Sequence, residues 1–255
     1  MLGHNQTMLV AALDTTTRVG SLALVRDQHV LATLAGDGDR PHATRLPGDL
    51  LRLLTRQGLG VADVDVFAIA TGPGSFTGLR IGLAAVQGLA FASGKPVVGV
   101  SAFEALATAV WVEEPDTAGA PLAIWIDGQR QEVFAAVLQM TSSPAALPAV
   151  TFEYLEEPSV GRPSVVLDRW TGQRWWGTAA FAGDGVLVYR EVLEPHLGAT
   201  PRLVAPTPLL APSIGAIAER RAVAGEAAPP HAVRPLYVRR PDAELARDRQ
   251  RAGQA

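Results

Sequence analysis

The residues best suited to chemistry lie in three short stretches rich in glycine, threonine and acid. Gly72-Pro-Gly-Ser-Phe-Thr-Gly78 stands between two apolar segments, as a strand-to-helix loop would. The backbone N–H groups of such a loop can converge at a helix N-terminus and hold an anion. It is not a P-loop, because Gly-Lys-Ser/Thr is missing, nor a nucleophile elbow, because Ser75 lacks the Gly-x-Ser-x-Gly frame. The plainer reading is adopted: a tight turn that lets the next helix pack close. Asp14 precedes Thr15, Thr16 and Thr17. In an ATPase, an acid in that position orients Mg²⁺ or water and the threonines reach phosphates. No lysine or second glycine stands beside it, so the expected role of Asp14 is to cap turn amides. Gly183-Asp184-Gly185 has the look of a second ligand turn. The five histidines never occur as His-x-x-x-His or His-Glu-x-x-His, which offers no zinc motif. The absence of cysteine removes disulfides, thiolate metal sites and a cysteine nucleophile, and fits a reducing cytoplasm.

The elements that position these residues can be read from hydrophobic pattern. Residues 8–14 form an unbroken apolar run ending in an acid, as a central strand does, and 19–25 and 28–35 continue a meander. Between His42 and Gln57, Leu46, Leu50, Leu53 and Leu54 share one helical face, and Gly58 ends it. Pro47 and Gly48 weaken the start of this helix, so it depends on packing. A strand at 64–70, a helix from Leu79 to Ser93 closed by Gly94, and a strand at 96–100 follow. Ser101 with Glu104 forms a capping box for a third helix. The order βββαβαβα is complete by residue 112, which defines an N-terminal lobe at 1–112 and a linker at 113–120.

A second lobe at 121–240 restarts with strands at 121–127 and 131–138. Its middle is less legible: proline-rich at 144–163, then Trp170, Trp175 and Trp176 around a polar turn. A strand at 179–184, a helix at 212–224 and a last strand at 233–238 complete it. Arginines outnumber acids in the tail at 241–255 and its flank, which reads as solvated and frayed. Two lobes of related strand–helix order predict an α/β fold of the duplicated actin and sugar-kinase type, ribonuclease H-like in each lobe, with a cleft between lobes.

The chain has 255 residues, 48% of them hydrophobic, enough for two small cores. A net charge of -3 argues against unaided nucleic-acid binding, so RNA contact is expected only as part of a complex. The first residues lack the positive n-region of a secretory signal, and either Met1 or Met8 can serve as the start. The longest apolar run, 79–92, is interrupted by Arg80 and Gln87 and falls short of the roughly 20 residues of a bilayer span. No membrane association and a cytoplasmic location are expected.

Three segments together resemble the TsaB family: Leu9-Val-Ala-Ala-Leu-Asp-Thr-Thr-Thr17, Gly72-Pro-Gly-Ser-Phe-Thr-Gly-Leu-Arg-Ile-Gly82 and Gly94-Lys-Pro-Val-Val-Gly-Val-Ser101. Weaker echoes lie at Asp127–Phe134, Gly183–Gly185, Pro212-Ser213 and Pro235–Arg239. The resemblance implies a degenerate sibling of the TsaD enzymes. It also implies a non-catalytic scaffold for transfer of a threonylcarbamoyl group to the adenosine beside the tRNA anticodon. TsaD and the ATPase TsaE, acting with ATP, are the implied partners, and no cofactor is expected on this chain. TsaD binds its metal through His-Met-Glu-x-His after the equivalent of Val97–Val100. Here that place reads Ala102-Phe103-Glu104-Ala105-Leu106, without either imidazole, so no metal is expected there. After Asp127, where TsaB proteins tend to have Ala-Arg, this chain has Gly128-Gln129, and no role is assigned to that turn.

By the same resemblance, Asp14, Thr15, Thr16, Gly183, Asp184 and Gly185 are the vestige of a nucleotide site. Leu46, Leu50, Leu53, Leu79, Arg80, Gly82, Leu83, Val86 and Gln87 are assigned to the face that docks TsaD. The reason is that the second helix is apolar nearly all round and needs cover on both sides. The same face is open to a second copy of the chain when the partner is absent. The competing reading is an enzyme, either an actin-fold ATP phosphotransferase or a glycoprotease-like metallopeptidase. The missing histidine pairs weigh against the peptidase.

Overall fold

A computed structural model describes residues 7–142, 151–197, 202–204 and 209–238. The expected tail at 241–255 lies outside the described residues. Among the described residues, ten strands form two five-stranded sheets. In the first, β1 (Leu9–Asp14) is flanked by β2 (Ser21–Arg26), β3 (His29–Ala35), β4 (Val66–Gly72) and β5 (Val97–Ser101), in the order β3-β2-β1-β4-β5. In the second, β6 (Leu122–Asp127), β7 (Val133–Met140), β8 (Phe152–Gly161), β9 (Ala180–Ala182) and β10 (Arg202–Val204) run in the order β8-β7-β6-β9-β10. Each sheet has three antiparallel strands and then two parallel to the first of them. The identical order in both halves is the internal duplication, and the architecture is the actin-like, sugar-kinase-like one.

Alternation along the strands builds a layered molecule. Leu9, Ala11 and Leu13 of β1 face one core with α1 (His42–Arg56) and α2 (Phe76–Ser93). Val10 and Ala12 face another, shared with α3 (Ala102–Glu113), α7 (Ala211–Val223) and the second sheet. The far face of the second sheet packs Trp125 and Phe181 on Trp170 of α4 (Pro163–Trp170), with α5 (Asp184–Val188) and α6 (Arg190–Leu193) beside it. Strands buried on both faces read as unbroken apolar runs, which is why β1 was legible.

Local chemistry sets the ends of the helices. Ser75 caps α2 by accepting from Gly78 N at 3.2 Å, so the helix starts at Phe76, three residues earlier than periodicity predicts. Gly94, at φ 68°, ends it. Ser101 and Glu104 form the expected capping box on α3. By length and composition α2 could cross a membrane. It nonetheless places Leu79, Leu83, Val86 and Ala90 in the core of its own lobe.

Several expectations change. Residues 233–238 form no strand: Pro235 interrupts them and only Leu236 N pairs, with Thr71 O, at 2.8 Å. Helix α7 follows the second lobe in sequence but packs on the first sheet. There Gly215 meets Val25 and Ala12, and the Glu219 carboxylate accepts from Asp27 N and Gln28 N at 2.6 Å. The lobe expected at 121–240 therefore gives its last helix to the first half. The segment at 113–120 is no open linker, since Thr117 and Ala118 are buried. Within the stretch that was hard to read, β8 adds ten residues to the second sheet.

Candidate functional site

A cleft of about 920 Å³ opens between the lobes, lined in part by Thr16, Thr17, the 73–81 loop and helix start, Asp127–Arg130 and Asp184. Of the six residues expected to form a nucleotide site, only Thr16 and Asp184 line it. Asp14 is fully buried at the end of β1. Its Oδ1 accepts from Thr16 N at 2.8 Å and Thr16 Oγ1 at 2.7 Å, the turn-capping role expected of it. Burial pushes the Asp14 carboxyl above the usual range, against the Thr16 hydrogen bonds and the nearby His42.

The glycine-rich segment explains this burial. Gly74, Gly78 and Gly82 recur every four residues and face the Asp14–Thr16 turn. A Cβ would come within 2.6 Å of Thr16 Cβ at Gly74, 2.2 Å of Thr15 O at Gly78 and 2.2 Å of Thr15 Oγ1 at Gly82. These glycines seat helix backbone directly on the turn, as the close-packing reading predicts. The second lobe repeats the device. A Cβ at Gly183, which sits at φ 106°, would lie 2.1 Å from Trp125 O, and one at Gly185 would lie 2.9 Å from the same oxygen. Asp184 Oδ1 accepts from Asp127 N at 2.9 Å, and burial raises its carboxyl pKa. In the first half backbone covers the turn after β1, whereas in the second half it presses on Trp125 inside β6 and leaves Gly128–Arg130 lining the cleft.

Sequence reasoning missed a buried polar group under the cleft wall. Arg45, 2% exposed, pairs with Asp49 at 2.9 Å and also donates to Val19 O and to His42 Nδ1. Because arginine only donates, His42 Nδ1 is the acceptor, so Nε2 carries the proton and donates to Thr17 O at 2.9 Å. Arg52 completes the group on Asp49. The i, i+3 and i+4 spacing of His42, Arg45, Asp49 and Arg52 was the available signal. The spacing alone does not mark the group as buried, because charged helix positions ordinarily face water.

The docking assignment needs correction at residue level. Leu46, Leu50, Leu53, Leu79, Leu83 and Val86 are at most 8% exposed in the isolated chain, and Gly82 is pressed on Thr15. The greasy stripes cover the chain's own sheet, since a helix buries its most apolar face first. Gln87 donates to Pro230 O and Val233 O, and Arg80 to the Tyr237 hydroxyl, so both turn towards the C-terminal segment. The positions that α1 and α2 present outward include the small and apolar Gly48, Leu51, Ala84, Gly88 and Phe91, beside Arg52 and Arg56.

The chemistry of residues 102–106 does not fit a metal. Ala102, Phe103, Ala105 and Leu106 are buried apolar groups, and Glu104 is held by Arg221 of α7 at 2.9 Å. Among the described residues no group of three or more His, Cys, Asp or Glu side chains could hold a metal ion.

Comparison with known proteins gives a consistent picture. The family model described as TsaD, tRNA N6-adenosine threonylcarbamoyltransferase, matches residues 36–151. The tRNA threonylcarbamoyladenosine biosynthesis protein TsaB of Escherichia coli is 38% identical over 104 residues, 41% of this chain and 45% of that protein. The TsaB of Haemophilus influenzae is 38% identical over 108 residues, 42% of this chain and 44% of that protein. The chain thus spans less than half the length of either curated TsaB relative. Two solved Pseudomonas aeruginosa structures align along almost the whole chain. A protein described as similar to peptidase YeaZ is 29% identical, covering 91% of this chain and 100% of that one, with a TM-score of 0.74. A second, described as YeaZ, is 29% identical over 90% of this chain and 99% of that one, with a TM-score of 0.71. The chain is thus similar to TsaB proteins over roughly two fifths of its length and to the two YeaZ structures along almost all of it.

Proposed function

We propose that this chain is a binding subunit in tRNA N6-threonylcarbamoyladenosine synthesis, with the transfer chemistry supplied by a TsaD-type partner. The outer faces of α1 and α2 dock that partner, and a TsaE-type ATPase joins the pair with ATP. The observation that carries this reading is glycine with no internal task. Gly48 and Gly88 lie inside helices, yet a Cβ at either would meet nothing within 4 Å. Glycine inside a helix costs about 0.5–1 kcal/mol relative to alanine, so two in outward positions favour close approach of another chain. Leu51, 51% exposed, and Phe91, 83% exposed, supply apolar area beside them. The apolar lining at 102–106, where TsaD-type proteins keep histidines, supports assigning the chemistry to the partner.

Co-purification with TsaD from the same organism tests the reading. Gly88→Arg, which meets open space in the isolated chain, is expected to leave folding intact and to abolish the pair. If Gly88→Arg and Phe91→Glu both still bind TsaD as the parent does, the assigned face is wrong. Leu83→Glu and Gly82→Arg are unsuitable probes, because both positions are internal. An ATP-dependent phosphotransferase is the competing reading, favoured only by the inter-lobe cleft. Measured ATP turnover by the purified chain would revive it.

A further inference from the structure

The mouth of the cleft holds an aromatic group at the start of α2, outside the docking residues Gly48, Leu51, Gly88 and Phe91. Phe76 and Tyr237, 42% and 40% exposed, have ring centroids 5.6 Å apart with 39° between planes. The Arg80 guanidinium lies 4.0 Å over the Phe76 ring, and its Nε donates to the Tyr237 hydroxyl at 3.1 Å. The cation–π contact and the hydrogen bond hold two open rings in a fixed arrangement, so a group stacking on them meets a surface already ordered. Arg18, Arg40 and Arg130 line the same cleft.

The acids nearby are largely engaged. Asp127 accepts from Gln129 N at 3.0 Å and from the Tyr189 hydroxyl at 3.2 Å, Asp184 binds Asp127 N, and Asp39 lies 3.9 Å from Arg18.

We propose that this rim is a stacking platform for single-stranded RNA. One unpaired base lies against the Phe76–Tyr237 group while the neighbouring phosphates pass Arg18 and Arg40. Bases freed from pairing are recognised by aromatic faces and guanidinium planes, and the backbone by arginines; a duplex hides its base faces and cannot use such a site. A cleft of about 920 Å³ admits a nucleotide-sized group. The choice of RNA rests on the proposed role in tRNA modification.

The test, run at low salt because the net charge of -3 opposes unaided RNA binding, is fluorescence anisotropy with the full chain and a labelled seven-nucleotide single-stranded RNA, a duplex of the same sequence, and heparin as a charge-only competitor. Single-stranded binding stronger than duplex binding is expected. Phe76→Ala and Tyr237→Ala should each weaken it by about tenfold, and Tyr237→Phe, which keeps the ring, should weaken it far less. Arg40→Ala should weaken single strands of any sequence and lower the salt dependence. Equal affinity for duplex and single strand, no loss on removing both rings, or no binding at low salt would each overturn the proposal. Pull-down of TsaD by the same variants keeps the two readings apart. Lost RNA with a retained pair supports the platform, while retained RNA with a lost pair overturns it and moves the TsaD contact from the outer faces of α1 and α2 to the rim.

Discussion

One helix contains two glycines for which the structure requires opposite outcomes from the same substitution. At Gly82 a new Cβ would stand 2.2 Å from Thr15 Oγ1, 2.9 Å from Cγ2 and 3.0 Å from Cβ, and Thr15 is fully buried. Overpacking of this kind costs about 1–3 kcal/mol, against a helix-propensity gain of about 0.5–1 kcal/mol, so Gly82→Ala is expected to destabilise. At Gly88 nothing lies within 4 Å and only the propensity gain remains. Gly88→Ala should therefore raise Tm by roughly 1–4 °C in a chain of this size. The atoms met at Gly82 all belong to the Thr15 side chain, so Thr15→Ala should suppress much of the Gly82→Ala defect. At Gly78 the obstruction is the Thr15 main-chain oxygen at 2.2 Å, which no side-chain change removes. Thr15→Ala should leave Gly78→Ala uncorrected. Urea unfolding of the singles and doubles measures each step. A neutral Gly82→Ala, a destabilised Gly88→Ala, or equal rescue at 78 and 82 would refute the claim that these glycines exist to seat α2 on the Asp14–Thr16 turn.

Two further outcomes concern the buried acids. The Asp14 carboxyl is raised by burial, so the folded state holds its proton more tightly than the unfolded state. Stability should fall as pH rises from the unfolded value near 4 through the raised folded value, and Asp14→Asn should lack that slope in pH-dependent urea unfolding. Asp49 is shifted the other way, because hydrogen bonds and charges from Arg45 and Arg52 outweigh the upward push of burial. Its contribution is present above about pH 4 and lost as pH falls through the depressed value. Arg45→Met, which leaves the buried Asp49 carboxylate with Arg52 as its remaining partner, should cost about 1–3 kcal/mol at neutral pH, and an unchanged urea midpoint would contradict the pairing.

The N-terminal lobe was legible because local and global signals agree there. β1 is buried on both faces and so reads as one apolar run, the Ser101–Glu104 box announces α3, and Gly58 and Gly94 end α1 and α2 at φ 70° and 68°. The second lobe was harder because its signals are non-local. β8 is an edge strand, only partly buried and irregular in register against β7, so it shows no clean alternation. The tryptophans around residue 175 take their places through an aromatic cluster with Trp170 and Phe181. The residues expected to form a nucleotide site stand out by motif, but Asp14 and Thr15 lie under α2, and no spacing rule reports which side of a turn is open.

Sequence by itself determined the element order of the first half, the caps that bound its helices, the duplication and the family resemblance. Each depends on neighbours within a few residues or on a repeated pattern. Tertiary structure alone decided that α7 crosses to the first sheet, that the leucine stripes face inward, and that Gly48, Leu51, Ala84, Gly88 and Phe91 are among the residues left outward. The physical reason is that amphipathicity specifies that a face must be covered without specifying by what. Only the packed arrangement of sheets and helices assigns each apolar face its cover and leaves one without.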